Sequence, residues 1–564
     1  MSKLALKLIS DFNVEPFARC LRTAPHGTAL SVDVYSYGQM YQALNCVAGA
    51  NEPLVIVVWT LPERIIPSFS KALDFEHVEF STCLEEVDAF ADSILALSAS
   101  HSSVFIMSWV MSADQKGYGL LDWRPGLGLH NLLAQMNVRL ATRLGASRNI
   151  YMLNSEKWIH GSLPPSRKLW HAAKVPFANA VFEKAAYDLL AGIRAISGQS
   201  KKLVIVDLDQ TIWGGVIGET GWEGIQLGGH DHVGEAFREF QEALKALTHR
   251  GIQLAIVSKN DESVALEAID RHPEMALRRD CFAGWKINWQ DKAANVAALV
   301  KELKLGLDAV VFIDDNPAER ERVRSAYPEV LVPEWPSDPS SYVTALRGLA
   351  CFDTAALSNE DRTRTAMYVA DRERRDIKNT MESNADWLRK LETRLLVSPV
   401  ATFNIARVSQ LFNKTNQLNL TTRRLSEKEI LAWAEHTDHT LLAVSASDRF
   451  GDMGLVGIVG MSFDSVTSHL SDFILSCRVM GRQVEESMIH LAIEEARKRG
   501  FNTLLAQYVP TPRNRPTLDV LRRLAFIENE RYVFRYDIHT HTFTPDGIDI
   551  RYSDNDNARQ NVSD

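Results

Sequence analysis

Short apolar runs divided by amphipathic stretches mark the first part of the chain. LALKLIS (4–10), LVIVVWT (54–60), SVFIMSWV (103–110) and NIYMLN (149–154) read as buried strands. Between them, Val87 to Leu97 and Leu129 to Leu144 carry apolar residues at helical spacings of three and four. Strands alternating with helices predict a parallel sheet covered on both faces. A polar SGQSKK stretch (197–202) leads to a second block with the same rhythm. Its strands are KLVIVDLD (202–209), IQLAIVS (252–258) and AVVFIDD (309–315), and its helices are 233–249, 261–271 and 291–304. The Pro-rich VPEWPSDPSS (332–341) closes that block. The charge-laced 357–376 then reads as a solvated or bridging helix.

A third block begins near residue 392 and has a different period. TRLLVSPV is strand-like and is followed by helices, Ser426-x-x-Glu429 is a capping box, TLLAVSASD and GLVGIVGMSF alternate as antiparallel strands, and SDFILSC (471–477) turns into a helix over Gln483 to Arg499. The expected layout is an α/β multidomain chain: 1–196, a Rossmann-like 201–350 with a minimal cap, a helical connector 351–391, an α+β domain 392–545, and a frayed tail 546–564.

Length supports this division, since 564 residues at roughly 150 per domain give three or four. Apolar residues at 46% and charged residues at 24% exclude global disorder and coiled coil. A net charge of −9 leaves no basic footprint for nucleic acid. The longest apolar runs fall far short of the roughly 20 residues that span a bilayer, so no membrane is expected. Lys3, Lys7 and Asp11 interrupt any signal-peptide core, and six dispersed cysteines form no CxxC pair. A cytoplasmic chain with reduced thiols is expected.

The second block carries the clearest chemistry. Asp207-Leu208-Asp209-Gln210-Thr211 ends a strand, where parallel sheets place their ligands. Residues two apart share a face, so Asp207 and Asp209 point into one cleft. Asp314-Asp315 ends another strand, and this oxygen-rich, highly charged set favours Mg²⁺ with a phosphate. Ser258 ends the middle strand and Lys292 opens a helix; both can bind phosphoryl oxygens. One carboxylate can act as nucleophile and its neighbour as acid/base. Fifty residues separate Asp207 from Ser258 and 33 separate Ser258 from Lys292, so neither gap holds a large cap.

In the third block, Leu475-Ser476-Cys477-Arg478-Val479-Met480-Gly481-Arg482 joins a strand to a helix. A turn with Gly at a helix start offers N–H groups to an anion, and Arg478 and Arg482 add positive charge. Such surroundings raise the thiolate fraction of Cys477, which makes it a candidate nucleophile for acyl transfer. Asn416, Asn419 and Arg423 lie in a polar run that either binds substrate hydroxyls or phosphate, or forms a turn network.

The order DLDQT, strand-end Ser, helix-start Lys and strand-end DD resembles the haloacid dehalogenase superfamily of aspartyl-phosphate phosphatases and phosphotransferases. The resemblance implies Asp207 as nucleophile, Asp209 as acid/base, and Thr211, Ser258 and Lys292 around the phosphate. It further implies Mg²⁺ held by Asp207, Asp314, Asp315 and the backbone carbonyl of Asp209. The cysteine turn resembles the cofactor motif of GNAT acetyltransferases, with Gln483 where that family has Gly or Ala.

Together with NSEKWIHG (154–161), KLWHAAKVPFANAVFEKAA (168–186), KTNQLNLTTRR (414–424) and SCRVMGR (476–482), the chain resembles the FkbH-like proteins. That resemblance implies removal of phosphate from 1,3-bisphosphoglycerate, a glyceryl thioester on Cys477, and transfer to the phosphopantetheine arm of an acyl carrier protein supplied in trans. A stand-alone phosphatase acting on a small phosphate ester in a polyketide or surface-polysaccharide pathway is the alternative. The first block resembles an SGNH-hydrolase-like domain, but Ser10-Asp11-Phe12-Asn13 stands where Gly-Asp-Ser is required. A degenerate docking domain is therefore expected there.

Overall fold

The computed structural model describes residues 4–23, 30–48, 55–98, 103–112, 114–147, 149–162, 166–229, 231–355, 367–374, 383–415, 417–476, 479–511, 513–539 and 547–553. The chain divides into two compact units, Met1–Lys201 with Thr344–Ala356, and Lys202–Val343 with Leu357–Asp564. No helix among the described residues is long and apolar enough to cross a membrane.

The first unit holds five parallel strands: β1 (Leu4–Ser10), β2 (Leu30–Val34), β3 (Val55–Trp59), β4 (Ser103–Met107) and β5 (Ile150–Leu153). They lie in the order β2-β1-β3-β4-β5. Every residue of β3 is buried because alternate side chains serve two cores. Val55, Val57 and Trp59 pack with helices Glu15–Thr23 and Asn179–Ile196. Ile56 and Val58 pack with helices Phe80–Ser98 and Leu129–Leu144 on the other face. This explains why the strand reads as a continuous apolar run. The segment 344–356, expected to be divided at 350 between the second block and the connector, groups with the first unit instead. The Lys201 N–H donates to Cys351 O, the Tyr187 hydroxyl donates to Gly348 O, and the Ala350 N–H donates back to that hydroxyl.

In the second unit, β6 (Leu203–Val206), β7 (Gln253–Ser258), β8 (Phe282–Ile287) and β9 (Val310–Ile313) form a parallel sheet ordered β8-β7-β6-β9. The helices that follow the loops are capped by short side chains. Asp231, Asp261, Asp291 and Asn316 each accept a backbone N–H from the first turn of the next helix. These caps fix where helix Lys292–Glu302 begins, and so where Lys292 stands.

The remaining sheet is mixed. It contains β10 (Arg394–Pro399), β11 (Leu418–Asn419), β12 (His439–Asp448), β13 (Gly451–Phe463), β14 (Ser468–Leu475), β15 (Thr503–Gln507), β16 (Ile527–Glu530), β17 (Val533–Asp537) and β18 (Asp549–Tyr552). The path is β16-β17-β15-β14-β13-β12-β10-β18, with β11 beside β14. Helix Val484–Lys498 packs on one face, and helices Ile405–Lys414 and Glu427–Ala434 pack on the other. The Ser426/Glu429 capping box is present.

Parallel β14 and β15 pair over only three positions, Ser468 to Leu470. Beyond them the Leu418–Leu420 segment enters the fork. β11 pairs with Leu475 and Ile474, Leu420 N donates to Phe473 O, and Val509 N donates to Leu420 O.

One expectation changes and another resolves. The tail does not fray throughout, because Asp549–Tyr552 pairs in parallel with β10. Of the two readings of the charged stretch, the described 367–374 takes the bridging one. Arg374 is buried and grips Asp448 through two bonds of 2.7 Å, while Arg372 on the same turn donates to Phe282 O and covers the Trp285 ring.

Candidate functional site

Three adjacent strands of the four-stranded sheet, β7, β6 and β9, end together, and the residues at their ends build one buried cluster. Asp207 follows β6, Ser258 ends β7 and Asp314 follows β9; all three are buried. Lys292 is also buried, and its ammonium lies 3.0 Å from Asp207 Oδ2 and 2.7 Å from Asp314 Oδ2. Burial pushes the Asp207 carboxyl up to about 6 against the pull of Lys292, and it raises Asp314 as well. Burial lowers Lys292, but the two carboxylates outweigh it and its pKa rises. The charged ammonium is therefore the counter-ion of two crowded acids.

Asp207, Asp314 and Asp315 each bring a carboxylate oxygen within 4.8 Å of the others. Asp207 Oδ1 is buried and accepts no hydrogen bond from the protein. An orphaned acceptor among three hard oxygen donors fits Mg²⁺.

Asp209 sits outside that trio. Its Oδ1 accepts the Trp213 indole N–H at 2.8 Å and the Ile217 N–H at 3.1 Å, and its Oδ2 accepts from the Asn260 amide at 3.0 Å. Its carboxylate is thus held apart from the metal-type cluster, and only its carbonyl is left to serve there. Thr211, expected among the phosphate binders, is fully buried. Its hydroxyl donates to Asp315 and accepts the Asp315 N–H, so it braces an acid rather than lining the cleft.

Asn260, Trp213 and Arg320 did not emerge from the sequence. Asn260 bridges Ser258 Oγ and Asp209, and the buried Arg320 guanidinium donates to the carbonyls of Asp314 and Asp315 at 2.9 and 2.7 Å. The only local signal for Asn260 is a polar residue two positions past a strand-end serine.

In the mixed sheet, Asn416, Cys477 and Arg478 lie outside the described residues. Arg482 is buried and committed. It donates to Asp371 at 2.8 Å, and its other Nη lies 3.7 Å from Asp448. The Gly481 N–H, expected to face an anion, donates to Glu485 of its own chain at 2.7 Å. Asn419 belongs to a turn network, giving to Thr415 O and accepting from Thr422 N. Arg423 pairs through Nε and Nη2 with the fully buried Asp472.

In the first unit, Ser10 is buried and its hydroxyl accepts the Phe12 N–H. Asp11 accepts the Leu61 N–H and lies 3.4 Å from Arg64; burial raises its pKa to about 7.

No family model matches the chain, and no curated protein does. Among solved structures, it is similar to the N-terminal part of a Bacteroides fragilis protein that contains a phosphatase domain, complexed with Mg. Identity is 29% and the TM-score 0.57, over 63% of this chain and 96% of that one. Weaker likenesses are to a putative acetyltransferase from Salmonella typhimurium with acetyl-CoA and to an N-acetyltransferase from Staphylococcus aureus. The first has 14% identity, TM-score 0.20, and covers 27% of this chain and 98% of that chain. The second has 12% identity, TM-score 0.20, and covers 26% and 98%. The substantial likeness is therefore to a protein whose phosphatase-containing part holds Mg.

Proposed function

We propose that this chain is a Mg²⁺-dependent phosphatase of the aspartyl-phosphate kind joined to an acyl-transfer domain. It removes phosphate from 1,3-bisphosphoglycerate and passes the glyceryl group, through a Cys477 thioester, to the phosphopantetheine thiol of an acyl carrier protein. The observation that carries the reading is the buried Asp207–Lys292–Asp314 cluster at adjacent strand ends. The Mg-bound phosphatase neighbour supports it. The first unit is proposed as a degenerate SGNH-like docking domain. The cytoplasm is its proposed location, resting on six cysteines without a CxxC pair.

The Asp207 carboxylate attacks phosphorus, and the P–O ester bond breaks. Asp209 gives a proton to the leaving oxygen and then takes one from the water that hydrolyses the aspartyl phosphate. Asn260 and Trp213 hold that acid in place. Lys292 keeps Asp207 ionised and balances the phosphoryl charge. Mg²⁺ bound by Asp207, Asp314 and Asp315 would neutralise charge on the phosphoryl oxygens. In the acyl half, the Cys477 thiolate attacks the C1 carbonyl and inorganic phosphate leaves. The carrier thiolate then attacks the thioester and frees Cys477.

A stand-alone phosphatase is favoured by one observation: Arg482 and the Gly481 N–H are engaged by the chain's own carboxylates. Intact mass after incubation with 1,3-bisphosphoglycerate and Mg²⁺ separates the two. A glyceryl-sized gain in the wild type and not in Cys477→Ala supports transfer. Phosphate release without any gain supports the plain phosphatase, and loss in Asp207→Asn of release from the C3 phosphate ester ties either to the cluster.

A further inference from the structure

Two apolar side chains stand in solvent at the mouth of the phosphoryl cleft. Trp289 is 75% exposed and Val216 is 40% exposed. Trp289 lies on the loop between β8 and helix Lys292–Glu302, three residues before the lysine that neutralises Asp207 and Asp314. That loop is fixed at both ends. The Asn288 N–H donates to Ser258 O at 3.1 Å. The Asn288 side chain accepts from the buried Asn295 amide at 2.8 Å and from the Gln290 N–H at 3.0 Å. Asp291 caps the helix and pairs with Arg322. A loop held this firmly keeps its largest apolar side chain beside the cleft and out of any core, where a ligand can cover it.

Val216 marks the other half of the mouth. It precedes Ile217, whose N–H donates to Asp209 Oδ1, so it stands next to the acid assigned to the leaving oxygen. The ends of β8 and β6 are two strand spacings apart, about 10 Å, which an indole and one ring-sized leaving group span together. Charge at the rim is already matched, since Glu319 holds Lys259 at 2.6 Å and Asp291 holds Arg322 at 2.9 Å. The flap that follows Val216, 217–224, carries the exposed acids Glu219 and Glu223 and no basic residue. An anionic leaving group gains nothing from this rim, whereas a flat apolar one covers Trp289.

We propose that Trp289 is a specificity-determining residue of the phosphoryl cleft and that, with Val216, it favours phosphate monoesters whose leaving group presents a flat apolar face, such as an aromatic ring. The contact adds to the grip on phosphate that every ester shares, so it ranks substrates and excludes none. The inference rests on the phosphatase reading of the Asp207 cluster and names the class of ester that the cleft prefers.

Two phosphonates, which have no ester bond to break, test it by calorimetric titration of the full chain in Mg²⁺. Phenylphosphonate is expected to bind about tenfold tighter than methylphosphonate, roughly the worth of one aromatic contact. Trp289→Ala removes that preference and Trp289→Phe keeps most of it. In parallel, kcat/KM for phenyl phosphate relative to glycerol 3-phosphate should fall about tenfold in Trp289→Ala, through KM. Equal affinity of the two phosphonates, or a preference that survives Trp289→Ala, overturns the proposal. Hydrolysis that needs Asp207 but shows no phenyl preference overturns the rim alone. A Trp289-dependent preference without hydrolysis of either ester supports the rim and overturns the phosphatase reading.

Discussion

Replacing Lys292 by Met keeps the bulk of the side chain and removes its charge from between two buried acids. The ammonium lies 2.7 Å from Asp314 and 3.0 Å from Asp207. At an effective dielectric of about 20, those contacts correspond to gross attractions of about 6 and 5.5 kcal/mol. Desolvation offsets much of this, and stranding buried charge in this way costs about 3–5 kcal/mol net. The sign with pH follows from burial. Asp207 and Asp314 already have raised pKa values and rise further without Lys292. The variant therefore loses little at pH 5, where the acids protonate, and the full amount at pH 8. Native-state hydrogen exchange of the β6 and β9 amides, in chelator at both pH values, reads the local free energy directly. Added Mg²⁺ should restore part of the loss at pH 8. A variant within about 1 kcal/mol of wild type at pH 8 in chelator refutes the counter-ion role of Lys292.

Other perturbations probe the same logic elsewhere. Asp11 is raised to about 7 by burial, so the ionised form is the costly one and the first unit loses stability as pH climbs from about 4 to 7. Against Asp11→Asn, exchange at β1 should show the wild type losing about 3 kcal/mol between pH 5 and pH 8. A flat difference removes the buried acid from the account. Asn260→Ala frees one oxygen of Asp209 and should lower kcat on p-nitrophenyl phosphate about tenfold with KM unchanged, as expected of a group that acts through orientation. Arg374→Met strands the buried Asp448 side chain and should open β12 to exchange by about 3–5 kcal/mol.

The parallel sheets were legible because strands buried on both faces are apolar throughout, as VIVVW and LVIV are. β2, LSVDV, escaped notice because it is an edge strand with Asp33 turned to solvent and paired with Lys7. β16, IENE, is exposed at every position and carries no hydrophobic period at all. β11 is two residues long and is defined by its partners rather than its composition. The same division holds at the site. Asp207, Ser258, Lys292 and Asp314 stand at strand ends or a helix start, which a linear reading finds. Asn260 acquires its role only where two strand ends converge, and Arg423 finds Asp472 49 residues away.

The discontinuity of the first unit sets a timetable for making the protein. Its last hydrogen bonds, from Lys201 to Cys351 and between Tyr187 and Gly348, join positions separated by 150 and 161 residues. At roughly 5–20 residues per second, the ribosome delivers Cys351 about 8–30 s after Lys201. Through that interval the five-stranded sheet must wait without its closing segment, while the whole Asp207 region emerges and folds. A chain halted in between releases a first unit whose Tyr187 hydroxyl and Lys201 amide lack these partners, so synthesis past residue 351 acts as a checkpoint on its completion.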